Sequence, residues 1–146
     1  MNRRIFIDSS VLYAATVSSK GYAHDLIRLA IAGQAQLVTS SYVLAEVTRN
    51  LADKQPRGLH TLDEFSKAVG WLVVDVSREE VLAAAEYTAL KDAPVVAAAL
   101  KARCDYLVTY DRKHLLGPPD VSRRSGLTIV TPDVAVAAIQ HNDYEN

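Results

Sequence analysis

Four acidic side chains, Asp8, Glu46, Asp92 and Asp111, stand at or near junctions between short apolar runs and helical stretches. Like charges gathered in one cleft repel, raise one another's pKa and cost stability unless a cation offsets them. The natural counterion is Mg²⁺ or Mn²⁺, a hard cation that takes oxygen ligands, keeps waters and reaches substrate phosphate through them. An acid set without His or Cys suits such an ion better than zinc. The chemistry this implies is metal-assisted phosphodiester hydrolysis, in which an activated water attacks phosphorus and one or two ions steady the attacking and leaving oxygens. Lys91, Arg112, Lys113 and Arg49 are placed to hold substrate phosphates, and the Ser9, Ser10 and Thr109 hydroxyls to order carboxylates or waters.

The elements that would carry these groups are legible. From Lys91 to Leu116, an Ala-rich helical segment opens at Asp92, and the apolar run Asp105–Thr109 follows, with Asp111 just beyond. Ligands of open α/β sheets bind beyond the carboxyl ends of the strands, the edge to which both acids are sent. The run Arg4–Ile7 predicts a first strand ending at Asp8, with a helical turn or two over Val11–Thr16. Gly21–Ala32 carries apolar residues at helical spacing, with Gly33 as its cap. Gln36–Thr39 reads as the second strand. Ser40-Ser41 caps a helix to about Ala52, which holds Glu46 off its buried stripe of Val43, Leu44, Val47 and Leu51. Lys54–Leu59 reads as a loop and Thr61–Val69 as a helix. Trp71–Val76 is the third strand, Arg78–Ala89 a helix, Asp120–Gly126 a polar loop and Leu127–Val130 a fifth strand. Pro132 starts a last helix. Strands alternating with helices predict an α/β fold, a Rossmann-like three-layer sandwich whose central parallel sheet of about five strands is flanked by helices.

Composition sets the bounds. The 146 residues predict a single domain over 1–146, with a polar tail from about His141 left outside the fold. Hydrophobic residues are 49% and charged residues 23%, far from the composition of a disordered chain. A net charge of −1 provides no global positive field for nucleic acid, so such contact must come from local patches. Cys104 is the only cysteine, which excludes an intrachain disulfide or a multi-cysteine zinc site and reads as a small core residue. No long apolar segment suggests a signal peptide or membrane span, and the expectation is a soluble cytoplasmic protein.

Each acid has a plainer alternative. Asp8 and Asp92 could cap helices, Glu46 could pair with Arg49 or Asn50 on a solvated face, and Asp111 could begin a turn. Other acids fail on position. Asp105 begins its strand and lies at the opposite edge, Asp75 falls at the flank of the sheet, and Glu79, Glu80 and Glu86 fit an exposed helix face. His114 invites a general-base role, but a surface or packing histidine is the preferred reading. Tyr13, Tyr42 and Tyr110 could stack on bases or simply pack at the rim, and Arg123-Arg124 reads as a solvated pair.

The phrases IFIDSSVL, TSSYVLAEV, LKDAPVVAAAL and DYLVTYDRKHLL, in this order and spacing, resemble the PIN domain, including the ribonuclease toxins of VapBC-type toxin–antitoxin pairs. The likeness covers Arg4 to about Thr131. It carries the family's acids onto Asp8, Glu46, Asp92 and Asp111 as catalytic metal ligands. It implies a Mg²⁺- or Mn²⁺-dependent endoribonuclease acting on RNA, an antitoxin partner and a homodimer. Ser10 departs from the family, where many members have Asn, and extra length falls at Lys54–Leu59 and Gly117–Ser125. Three other readings stay open: a non-catalytic module of the same fold that binds RNA or protein, an aspartyl-phosphate receiver domain, and a haloacid-dehalogenase-like phosphatase. Glu46 and Asp92 fit the receiver poorly, and Ser10 stands where the phosphatase would want a second acid.

Overall fold

The computed structural model describes residues 2–145, with side chains through His141. The chain runs β1 (Arg4–Ile7), α1 (Ser9–Val17), α2 (Tyr22–Ile31), β2 (Gln36–Ser40), α3 (Ser41–Lys54), α4 (Gly58–Val69) and β3 (Leu72–Val74). It continues through α5 (Arg78–Ala84), α6 (Ala93–Lys101), β4 (Tyr106–Val108), a π turn (Arg112–Leu116), α7 (Pro119–Ser125), β5 (Thr128–Val130) and α8 (Pro132–Glu145). All strand pairs are parallel, in the order β3-β2-β1-β4-β5, and helices flank the sheet as expected. The chain builds outward from β1 to β3, then crosses back to place β4 on the other side of β1. The switch point of the sheet therefore lies between β1 and β4, where a crevice opens at the strand ends.

Apolar runs make the centre. Ile5, Phe6, Ile7, Leu37, Val38, Leu107 and Val108 are all buried to within 1% exposure, as befits strands covered on both faces. Complete burial of side chains this size contributes about 1.5–3 kcal/mol each, so β1, β2 and β4 form a stiff platform. In α6 the small residues Ala97, Ala98 and Ala99 are buried with Val95 and Val96. Short side chains let this helix lie close to the sheet, and Pro94 sits in its first turn, where a missing N–H costs nothing. α1, α2, α3 and α4 pack on one another, α8 packs on α2, and α5 packs on α6.

Several expectations need correction. Asp120–Gly126 is not a polar loop: Pro119 starts α7, Val121 is buried beneath it, and Gly126 ends it at φ 76°. The loop expected over Lys54–Leu59 is shortened to Gln55–Arg57, because α3 runs to Lys54 and α4 begins at Gly58. β3 is shorter than Trp71–Val76. It pairs only with β2 at the edge of the sheet, which leaves Leu72 and Val73 more than 40% exposed. The helix from Arg78 stops at Ala84, and turns lead to Asp92. α8 carries the backbone of the expected tail on as helix to Glu145; Asn146 lies outside the described residues. Among the described residues, no helix is long and apolar enough to cross a membrane.

Candidate active site

The register of β1 against β4 sets Ile7 opposite Val108, so the next residues, Asp8 and Thr109, emerge side by side at the carboxyl edge. Asp8 is 6% exposed and Thr109 fully buried. The Thr109 hydroxyl donates to Asp8 Oδ2 in a short hydrogen bond, and Ser10 Oγ donates to Asp8 Oδ1 at 2.7 Å. The Val11 N–H also donates to Oδ1, at 3.2 Å, so Asp8 does cap α1 while its second oxygen is held toward β4. Burial pushes the Asp8 carboxyl above the ordinary aspartate value. The Thr109, Ser10 and Val11 hydrogen bonds pull against that rise, and the charge on Asp111 adds to it.

Thr109 also fixes the second acid. Its Oγ1 accepts the Asp111 N–H at 3.0 Å, and Asp111 Oδ1 accepts the His114 N–H at 2.9 Å, which starts the π turn. One buried hydroxyl thus couples acids from neighbouring strands. Burial works to raise the Asp111 carboxyl, but the His114 N–H and the Lys91 ammonium outweigh it and leave it below the ordinary value.

Asp92 stands at the cap position of α6, yet its side chain makes no cap hydrogen bond. Its Oδ2 is closed off from solvent and receives no aligned hydrogen bond. What faces it is charge: Lys91 Nζ lies 3.0 Å from Asp92 Oδ2 and 3.3 Å from Asp111 Oδ2. His114 Nδ1 stands 3.5 Å from Asp111 Oδ2 and 3.9 Å from Asp92 Oδ2. Asp92, Asp111 and His114 can each offer a ligand atom within 4.8 Å of the others. An orphaned buried carboxylate oxygen beside a second carboxylate is a donor set that fits a hard divalent cation.

Glu46 reaches the site from α3. Asp8, Glu46, Asp92 and Asp111 line one cavity of about 190 Å³ together with Tyr42 and Lys91. The structure therefore brings all four sequence-derived acids to one crevice, with Asp92 and Asp111 in the closest cluster. A larger groove of about 430 Å³, shared through Ser9, Ser10 and Glu46, leads away along Tyr13, Asn50 and Lys54.

Two neighbours of the acids were not foreseen in these places. His114 was expected to be a surface or packing residue, but the π turn folds it back on Asp111. Lys91 was expected to await substrate phosphate, whereas its ammonium is paired with two of the acids. Its position next to Asp92 in the chain was the one available signal. The excluded acids stay excluded: Asp105 Oδ2 accepts the Arg4 N–H at 2.8 Å at the far end of β1, and Asp75 follows the edge strand β3.

A family model described as PIN domain matches residues 4–113. No curated protein matches by sequence. The fold is similar to PAE2754 from Pyrobaculum aerophilum (18% identity, 97% of this chain and 98% of that one covered, TM-score 0.68). It is also similar to a chain of a toxin–antitoxin complex from Klebsiella pneumoniae (22%, 88% and 97%, TM-score 0.62). A third similar structure is VapC20 of Mycobacterium tuberculosis, a sarcin–ricin loop cleaving toxin (19%, 75% and 91%, TM-score 0.58).

Proposed function

The chain belongs to the PIN domain family, and from that membership and the acidic crevice we propose that it is a Mg²⁺- or Mn²⁺-dependent endoribonuclease. The observation that carries this reading is the meeting of Asp8, Glu46, Asp92 and Asp111 in one cavity at the switch point of the sheet, with Asp92 Oδ2 left without a hydrogen bond. These four carboxylates would hold the cation, with His114 at their edge. When bound, the ion supplies a Lewis acid that lowers the pKa of water and offsets charge on phosphate oxygens.

The chain's own groups prepare the site. Thr109 and Ser10 fix the rotamer of Asp8, so its carboxylate needs no reordering when a cation arrives. The stiff β1 and β4 ends hold Asp8 and Asp111 in register, and α6 holds Asp92 against them. Tyr42, 43% exposed at the mouth, offers a ring on which a nucleobase can stack. The toxin–antitoxin context of the similar structures supports an antitoxin as the cellular partner, one that restrains cleavage by covering this crevice, and the family resemblance adds self-association as a homodimer. Light scattering of the purified protein tests the latter, with a monomer mass at all working concentrations counting against it.

The direct test compares RNA cleavage in Mn²⁺ and in EDTA, for the wild type and for Asp8→Asn and Asp92→Asn. Cleavage should require the ion and be lost in both variants while far-UV circular dichroism stays unchanged. Cleavage that persists in EDTA and in both variants refutes the metal mechanism. A folded protein that neither binds Mn²⁺ nor cuts is instead the non-catalytic binding module.

A further inference from the structure

The Lys91 ammonium lies between two of the carboxylates that the proposed cation would use, 3.0 Å from Asp92 Oδ2 and 3.3 Å from Asp111 Oδ2. Asp92 is 13% exposed at its side chain and Asp111 20%, whereas Lys91 is 59% exposed. The acids are thus fixed and enclosed, and the lysine reaches in from solvent over the rim. Asp92 Oδ2 has this ammonium as its charge partner but no aligned hydrogen bond. The same ammonium donates hydrogen bonds of 3.3 Å to Asp92 Oδ1 and to Asp111 Oδ2, both long for charge-assisted contacts, as suits a lysine held at the rim by attraction to two acids rather than by one tight bridge.

We propose that Lys91 is a tethered counterion that occupies the cation's place in the metal-free protein, so that it sets the affinity of the site for divalent ions. A divalent ion held by Asp92 and Asp111 would compete for them with the ammonium 3.0 Å from Asp92 Oδ2, because repulsion between a doubly charged ion and an ammonium within a few ångströms exceeds thermal energy even in water. Binding must therefore expel Lys91, and its exposed stem leaves it a path outward. The resident charge does two things. It relieves the repulsion between acids that the fold forces together, and it weakens cation binding by the attraction that has to be broken. The site then fills only when free divalent ion is abundant, and an empty site is not left as a bare cluster of negative charge.

This inference rests on the proposed metal site, and the experiment separates the two. Mn²⁺ is titrated by calorimetry into full-length wild type, Lys91→Gln and Asp92→Asn, and thermal stability is recorded with EDTA and with saturating Mn²⁺. Two ion pairs whose lysine end is open to solvent set the expected gain: Lys91→Gln should bind Mn²⁺ about 2- to 30-fold tighter than wild type. It should also melt lower than wild type in EDTA, with the difference closing or reversing in Mn²⁺. Asp92→Asn should lose most of the Mn²⁺ heat. If Asp92→Asn binds Mn²⁺ like wild type, the metal site itself is wrong. If Asp92→Asn fails to bind but Lys91→Gln binds no tighter than wild type, the counterion role is overturned and the metal site stands.

Discussion

Thr109→Val tests whether one buried hydroxyl holds the two strand-end acids together. Thr109 is fully buried, donates to Asp8 Oδ2 and accepts the Asp111 N–H at 3.0 Å. Valine keeps the shape of the side chain and removes both interactions. A hydrogen bond to a charged group contributes about 1.5–3 kcal/mol, and an amide left without an acceptor costs about 1–3 kcal/mol. The Asp111 N–H lies near the mouth, where water can replace part of its loss, so the combined cost is roughly 2–4 kcal/mol. At this chain length that lowers the melting temperature by roughly 6–15 °C. Urea unfolding in EDTA measures the loss without a metal contribution. Thr109→Ser, which keeps the hydroxyl and gives up one methyl group, should lose only about 1 kcal/mol. A Thr109→Val protein within about 0.5 kcal/mol of wild type, the range of inconsequential substitutions, would refute the coupling of Asp8 to Asp111 through this residue.

Asp8→Asn should be more stable than wild type in EDTA at neutral pH, because burial disfavours the aspartate charge. With its folded pKa raised above the unfolded value, Asp8 costs nothing below the unfolded pKa and progressively more as pH rises through the folded one. The advantage of the variant should therefore be absent in strong acid and grow with pH; equal stabilities from acid to neutral would count against it. Gly117→Ala should destabilise by about 1–3 kcal/mol, since its Cβ would stand 2.5 Å from the Arg112 carbonyl oxygen and force the π turn open. The same substitution should weaken Mn²⁺ binding by moving His114 and Asp111, and unfolding curves paired with calorimetry check both effects. Cys104, half-buried and with its thiol pushed up to about 12 by that burial, should react with a thiol reagent at pH 8 far more slowly in the native protein than after denaturation. Rapid labelling of the native protein would show that its surroundings open more readily than its packing implies.

How much of this was written in the chain follows from how local each signal is. Three-to-five-residue apolar runs, helical spacing in α2 and α3, and acids placed just past strands are short-range patterns. They were enough to anticipate five parallel strands and the edge at which Asp8, Glu46, Asp92 and Asp111 meet. Ser40 as cap of α3 and Asp105 at the far edge followed from the same logic. α7 was hidden because its polar residues face solvent and only Val121 is buried, so no periodic stripe marks it. That the Thr109 hydroxyl orders a carboxylate was expected, but which acids it links, and the roles of Lys91 and His114, needed the folded molecule. That Thr109 touches Asp8 depends on Ile7 pairing with Val108, and a slip of one residue would turn its hydroxyl to the other face. That His114 returns to Asp111 depends on a π turn that the sequence does not announce. The kinds of charge in the site and the edge they approach were determined by the sequence alone. Which of them lie within 4 Å of one another, and hence where repulsion is relieved by a lysine or a hydroxyl, was decided by strand register and helix packing, because Coulomb and hydrogen-bond energies act over ångströms while sequence patterns resolve only faces and ends.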